Sequence, residues 1–122
     1  NLCQPHPYVI NSDAELMERI AQDDMMRGVT IAAGGFYGPQ GRTLRIPLAD
    51  EHQNAKIESF RHGKYCITNY EMESSAVAGL ARLLGHKATT VCMVIANRYA
   101  KEMNTEYKNS IEVLIQKVLD RI

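Results

Sequence analysis

The stretch ITNYEMESSAVAGLARLLG, residues 67–85, decides the fold because a strand pattern passes directly into a helical one. YCITN predicts a short strand, and residues 73–84 predict a helix closed by Gly85. Two acidic residues, Glu71 and Glu73, stand at the junction. A buried carboxylate is unfavourable unless something satisfies it, so the junction is a candidate binding site. Small residues in the helix would let it approach a sheet closely: Ala76, Ala78, Gly79 and Ala81.

On either side of this stretch, strand patterns alternate with helical ones. GVTIAAGGFYGPQGR, residues 28–42, predicts a strand that enters a glycine-rich loop. TTVCMVIA, residues 89–96, is apolar without alternation, which is typical of a strand covered on both faces. TLRIPLA, residues 43–49, predicts an extended arm that Pro47 restricts to a sheet edge.

Three further helices are predicted from apolar periodicity and end signals. The first spans about residues 13–24 and follows a Ser-x-x-Glu capping box that starts at Ser12. The second covers residues 51–63 and ends at Gly63 in the manner of a C-terminal glycine cap. The third spans residues 105–121 and is amphipathic.

The alternation of elements predicts an α/β fold, a partial and mostly parallel sheet flanked by helices. We expect one partial domain over residues 1–122, irregular over residues 1–11. Ligands bind such sheets outside the carboxyl ends of the strands. Three segments should therefore converge there: Gly34 to Arg42, Tyr70 to Glu73, and Ala96 to Arg98.

Composition excludes several classes of function. Fourteen basic residues balance fourteen acidic ones, so there is no electrostatic footprint for nucleic acid. The sequence shows no membrane span and no signal peptide, so neither a membrane nor a nucleic-acid partner is expected. Cys3, Cys66 and Cys92 lack CxxC spacing, which favours reduced thiols and a cytoplasmic location. The four histidines are scattered without metal-ligand spacing, so no metal is predicted.

The acidic junction could hold a sugar. A carboxylate on Glu73, in the first turn of a rigid helix, can accept one hydrogen bond on each oxygen from a vicinal diol. Met72 would offer a soft apolar surface to the sugar face. The alternative is that Glu73 is only a favourable first-turn residue and Met72 belongs to the core.

The glycine-rich loop could read a planar base. Phe36 can stack on a ring, Gln40 offers a donor and an acceptor, and Arg42 offers donors only. Together they complement an imide such as uracil. The alternative is a surface turn with a solvated arginine. Arg98, after the third strand, either reinforces Arg42 or pairs with a surface carboxylate.

These segments, in this order and spacing, resemble the C-terminal half of nucleoside phosphorylases of the first family, and the uridine phosphorylases most closely. The resemblance is carried by GVTIAAGGFYGPQGR, NYEMESSAVAGLARLLGHKA and VIANR, and it runs from Gly28 to the end of the chain. It implies that residues 28–122 carry a base and ribose site, with Glu73 on the ribose 2′ and 3′ hydroxyls. The implied ribose-binding residues are Glu71, Met72 and Glu73. The implied base-binding residues are Phe36, Gln40, Arg42, Ile95, Ala96 and Arg98, and of these Gln40, Arg42 and Arg98 are the implied catalytic residues.

The resemblance also implies a reaction, the reversible phosphorolysis of uridine to uracil and ribose 1-phosphate in pyrimidine salvage. Inorganic phosphate is then the co-substrate, no cofactor is needed, and a homo-oligomer, hexamer or dimer, is expected. Purine-specific relatives carry an Asp after the third strand, where this chain has Asn97-Arg98. This difference, together with Gln40 and Arg42, favours a pyrimidine substrate. A purine nucleoside phosphorylase or a methylthioadenosine-type nucleosidase is the alternative enzyme, and Asn97 and Gln40 argue against both because neither supplies an acid for the purine N7.

The phosphate-binding residues are unknown. The family builds that site from an N-terminal glycine loop and arginines, and no such loop precedes residue 28. A full α/β member would be about twice as long. We therefore expect the N-terminal half to be absent and the start at Asn1 to reflect truncation. The other class left open is an inactive fragment that self-associates through its sheet edge or awaits a complementary chain.

Overall fold

The computed structural model describes residues 6–97 and 100–122. Residues 6–13 contain neither helix nor strand. The helices are α1 (Ala14–Ala21), α2 (Gln53–Ser59), α3 (Ser74–Leu83) and α4 (Tyr107–Leu119), with a single 3₁₀ turn at Gly38–Gln40. The strands are β1 (Val29–Ala32), β2 (Arg61–His62), β3 (Tyr65–Glu71), β4 (Ala96–Asn97) and β5 (Glu102–Met103). Strands and helices thus alternate over most of the chain, as the sequence predicts.

The main sheet of the described residues is mixed, with β3 between β1 and β2. β1 runs parallel to β3, with Ile31 opposite Tyr70, whereas β2 runs antiparallel to it. β4 and β5 form a separate antiparallel pair. The predicted mostly parallel sheet is not what these residues form. The antiparallel pairing follows from the two-residue connection between β2 and β3, because only antiparallel neighbours can be joined by so short a turn.

Gly63 belongs to that connection and not to a helix end. Its φ of +59° is in the left-handed region that a tight hairpin turn requires and that glycine adopts without strain. The prediction that Gly63 caps the second helix is therefore wrong. α2 ends four residues earlier, at Ser59, and Phe60 turns the chain into extended backbone.

The apolar run 89–96 does not form the predicted buried strand. In the described structure only its last residue, Ala96, joins a ladder, through β4. Val94 and Ile95 are 56% and 38% exposed. The apolar pattern predicts that these side chains are buried. A strand also requires backbone hydrogen bonds to a neighbouring strand, and residues 89–95 have no ladder partner among the described residues. The predicted arm at 43–49 likewise forms no strand in this part of the chain.

The ends of the helices follow their local chemistry. Asp13, not Ser12, is the N-cap of α1, and its Oδ1 accepts a hydrogen bond from the Leu16 amide at 3.0 Å. α3 ends as predicted at Gly85, where the His86 amide donates to the Ala81 carbonyl at 2.7 Å. This bond belongs to the Schellman pattern of helix C-termini. α4 lies within its predicted span and is two residues shorter at each end.

Close packing is concentrated near α1 and the end of β1. Among the described residues, the buried apolar side chains are Ile20, Ala21 and Ala33. The predicted close approach of α3 to a sheet is not seen, because a Cβ added at Gly79 would meet nothing within 4 Å. Leu80 on the same helix is 61% exposed.

An ion-pair cluster joins the tail of α1 to α4. Both carboxylate oxygens of Asp24 accept hydrogen bonds from the Arg121 guanidinium at 2.8 Å, and Lys117 Nζ donates to one of them at 2.7 Å. These donors, with Arg121 the strongest, hold the pKa of Asp24 far below its ordinary value of 3.8. Arg121 also donates to the Ile20 carbonyl at 2.7 Å, so the end of the chain is fixed over α1.

Candidate functional site

The parallel pairing of β1 and β3 brings two of the three predicted segments together. The last residues of the strands, Ala32 and Glu71, are register partners. The Ala33 amide extends the ladder by donating to the Glu71 carbonyl at 2.9 Å. The glycine-rich loop and the Glu-Met-Glu junction therefore leave the sheet side by side, at the carboxyl end of both strands.

The third segment is described only in part. Ala96 and Asn97 form β4, and the Ile95 carbonyl accepts a hydrogen bond from the Asn104 amide at 2.8 Å. Arg98, a predicted catalytic and base-binding residue, lies outside the described residues. Ile95 and Ala96 are exposed, and their base-binding roles stay predictions.

Glu71 stabilises the start of α3. Its Oε2 accepts hydrogen bonds from the Glu73 amide at 2.8 Å and the Ser74 amide at 2.6 Å, and its Oε1 accepts one from the Ser74 hydroxyl at 2.6 Å. These amides are among those that a helix start leaves without backbone partners. Partial burial opposes ionisation, but the bonds from Ser74 and the nearby amides outweigh it and keep the pKa of Glu71 below its usual 4.5.

This capping role was missed by the sequence reasoning, which grouped Glu71 with the ribose-binding residues. A usable signal was present, since an acidic residue stands three positions before Ser74 at a strand-to-helix junction. Both oxygens of Glu71 are occupied by the protein's own donors. Direct ribose contact by Glu71 remains a prediction that would compete with these bonds.

We expect Glu71→Gln to lower the free energy of unfolding by about 1 kcal/mol at neutral pH, because a helix cap is lost. The lowered pKa means that the ionised carboxylate stabilises the folded state above its unfolded pKa, near 4.5. That contribution is lost as the pH falls through the folded pKa. Urea unfolding of both proteins at neutral pH and at several values below 4.5 measures it. The difference in the free energy of unfolding between the parent protein and Glu71→Gln should become smaller as the pH falls.

Glu112→Gln, at an exposed position in α4, is the matched control for the charge change. It should leave stability within about 0.5 kcal/mol of the parent protein. An equal loss in both variants, or a gap that does not change with pH, would count against the capping role.

Glu73 occupies the N-cap position of α3 instead of its first turn. Its backbone, with φ −128° and ψ −24°, is not yet helical, so the helix begins one residue later than predicted. Its side chain is exposed and makes no capping bond to the helix, a role that Glu71 fills. Met72 beside it is 41% exposed. The helix dipole favours an anion at this tip, where the Glu73 side chain is exposed.

The loop after β1 contains three of the six residues predicted to bind a base. The Arg42 guanidinium lies over the Phe36 ring, 3.8 Å from its centroid, while the ring is 48% exposed. Gln40, in contrast, is 3% exposed. Arg42 is half-buried and stacked on Phe36, which differs from the solvated arginine of the alternative reading of this loop as a surface turn. A flat ligand that stacks on this face of Phe36 must displace the guanidinium.

Side chains from α2 and β3 hold this loop on both sides of Gln40. Gln53 Nε2 donates to the Pro39 carbonyl at 2.9 Å and to the Tyr70 hydroxyl at 3.3 Å. The Tyr70 hydroxyl donates to Asn54 Oδ1 at 3.1 Å, and Asn54 Nδ2 donates to the Gly41 carbonyl at 3.2 Å. Gly41 has φ +71°, and a Cβ there would lie 2.3 Å from Asn54 Oδ1, so only glycine fits.

The described residues contain neither a metal site nor a membrane span. Within residues 6–97 and 100–122, no three or more His, Cys, Asp or Glu side chains are grouped to hold a metal ion. In the same part of the chain, no helix has the length and apolar character needed to cross a bilayer.

The chain belongs to the Phosphorylase superfamily, whose sequence profile matches residues 3–122. It is 34% identical over 93 residues to uridine phosphorylase A of Schistosoma mansoni, covering 73% of this chain and 30% of that protein. It is 32% identical over 75 residues to the uridine phosphorylase of Thermococcus kodakarensis, covering 62% of this chain and 26% of that protein. It is also 32% identical over 93 residues to inactive uridine phosphorylase B of Schistosoma mansoni, again covering 73% and 30%.

The aligned part of the chain thus spans less than a third of each of these relatives. No solved structure shows significant similarity to it. The superfamily confirms the predicted α/β class and the resemblance to nucleoside phosphorylases.

Proposed function

We propose that this chain carries the base and ribose site of a uridine phosphorylase, which cleaves uridine with phosphate to give uracil and ribose 1-phosphate. The observation that carries the proposal is the parallel β1–β3 register, which brings the loop of Gln40 and Arg42 beside the junction of Glu73. The similarity to two uridine phosphorylases supports the choice of substrate.

In the proposed reaction, a phosphate oxygen attacks C1′ of the ribose and the C1′–N1 bond breaks. Its electron pair moves onto the uracil ring, so negative charge builds up on the carbonyl oxygens. Arg42 and Gln40 would stabilise that charge with hydrogen-bond donors, a contribution often worth several kcal/mol. Arg42 must leave the Phe36 ring or share it with the base to do so.

Glu73 would hold the ribose by accepting hydrogen bonds from its 2′ and 3′ hydroxyls. Its exposed side chain at the tip of α3 is free of a capping role, which supports this assignment. Positioning of this kind raises the rate by fixing C1′ relative to the attacking phosphate. Phosphate is the nucleophile, so the mechanism needs no protein nucleophile, no metal and no cofactor.

A second candidate is a binding protein without turnover. The similarity to inactive uridine phosphorylase B equals that to uridine phosphorylase A in coverage and nearly in identity. Overall identity therefore does not separate the two candidates. A non-catalytic relative would keep uracil and uridine binding and lose phosphorolysis.

The test is to incubate the purified protein with uridine, with and without inorganic phosphate, and to measure uracil release. We expect release that depends on phosphate, and none of hypoxanthine from inosine. Uracil binding by calorimetry without release would favour the non-catalytic candidate. Turnover of inosine would favour a purine enzyme, and the absence of both binding and release would overturn the proposal.

A further inference from the structure

We infer that Asn54 and Tyr70, together with Gln53, are positioning residues that orient the loop proposed to read the base. This inference rests on the proposed function and extends it to residues that do not touch the substrate. The juxtaposition that supports it is the bonding of α2 and β3 side chains to the carbonyls on both sides of Gln40.

The geometry holds the loop at two carbonyls on either side of Gln40. Pro39 and Gly41 flank Gln40 in sequence, and each carbonyl accepts a hydrogen bond from a different side chain of α2. These bonds hold the Pro39–Gln40 and Gly41–Arg42 peptide groups, while the Gln40 and Gly41 amides donate to the Tyr37 and Gly38 carbonyls within the loop at 3.0 and 2.9 Å. The bonds from α2 therefore add to those within the loop, and together they limit the backbone rotation that would redirect the Gln40 side chain.

The Tyr70 hydroxyl determines which way the Asn54 amide points. A hydroxyl donates one hydrogen bond, and here it donates to Asn54 Oδ1 while it accepts from Gln53 Nε2. With Oδ1 facing Tyr70, the NH₂ group of Asn54 faces the Gly41 carbonyl. The β3 residue thus controls the loop through an amide that it orients.

The location of Tyr70 connects the two halves of the site. Tyr70 directly precedes Glu71, which caps α3, and its backbone pairs with Ile31 of β1. One residue of β3 is thereby bonded to the element that supports the base loop and adjacent to the junction proposed to hold the ribose. The arrangement would keep the two binding elements in a fixed relation.

Tyr70→Phe tests this inference by removing one hydroxyl from a half-buried ring. We expect the Kd for uracil to rise about 3- to 10-fold, the range for loss of one net hydrogen bond. The Kd for ribose 1-phosphate should stay within about twofold, because the hydroxyl that is removed bonds to side chains of α2, which supports the base loop. Asn54→Asp should act in the same way, since it replaces the donor to Gly41 with an acceptor.

Tyr65→Phe is the matched control, because it removes the same hydroxyl from the same strand at a half-exposed position. It should leave both affinities unchanged. Hydrogen–deuterium exchange gives a second readout that needs no ligand. Peptides covering residues 38–42 should exchange faster in Tyr70→Phe than in Tyr65→Phe, while α4 peptides exchange equally in both.

The outcomes separate the inference from the proposed function. If the parent protein does not bind uracil, the proposed function fails. If the parent binds uracil but Tyr70→Phe and Asn54→Asp bind it as tightly as Tyr65→Phe does, the positioning role is overturned while the proposed function stands. Equal loss of uracil and ribose 1-phosphate affinity would also overturn it, since that result indicates a general structural defect.

Discussion

Arg42→Ala will lower kcat/KM for uridine phosphorolysis by about 100-fold or more, the usual effect of removing one preorganised donor to developing negative charge. The affinity for free uracil should fall by about 10- to 100-fold, because a hydrogen bond from a charged group is lost. Steady-state kinetics and calorimetry with uracil measure the two effects. The stacking of Arg42 on Phe36 places its charge at the proposed base site.

Two variants serve as controls for this prediction. Arg42→Lys keeps the charge but loses the planar fork and the stacking, so it should recover only part of the activity. Arg45→Ala removes the charge of an exposed arginine three residues further along and should leave both measurements unchanged. Uracil binding that is unaffected by both Arg42→Ala and Gln40→Ala would refute the assignment of the base site to this loop.

Glu73→Gln will weaken binding of uridine by about 10-fold or more, because its amide can accept from only one of two ribose hydroxyls and carries no charge. The affinity for free uracil should not change, since uracil has no ribose. Competition binding with uridine, 2′-deoxyuridine and uracil measures this difference. In the parent protein 2′-deoxyuridine should bind more weakly than uridine, and in Glu73→Gln that difference should shrink.

Glu106→Gln is the control for Glu73→Gln because Glu106 also occupies an N-cap position without capping its helix. It carries the same change of charge at a helix start, at a residue that is not predicted to bind a ligand. Glu106→Gln should leave the affinities for uridine and for uracil unchanged. A parallel loss of uridine and uracil affinity in Glu73→Gln would argue against a diol role and in favour of a disturbed α3.

The elements next to strong local signals were predictable from the sequence. Gly85 marks the end of α3, and the glycine-rich loop follows β1 as expected. The convergence of that loop with residues 70–73 was also predictable, because it depends only on two parallel strands. The family resemblance gave the α/β class, which the match over residues 3–122 confirms.

The features that the sequence did not reveal have different causes. The bonds of Glu71 to Ser74 and to the amides at the start of α3 are local and were overlooked, while its ribose contact stays a prediction. Residues 89–95 have a strand's composition, but composition does not supply a neighbouring strand. The roles of Gln53 and Asn54 were not predictable, because their loop carbonyls are 14 and 13 residues away. Arg98 lies outside the described residues, so its predicted role stays a prediction.

The pairing of β1 with β3 also determines the stage of folding at which the chain can bind a ligand at the proposed site. Thr30 and Asn69, which pair across the two strands, are separated by 39 positions. The entropy cost of closing this long loop therefore precedes the stabilisation from the contacts between the strands. A synthetic peptide containing either segment alone would lack the other half of the proposed site. Recognition therefore arises together with tertiary structure, and a ligand that bridges the two segments would shift the chain toward its paired state.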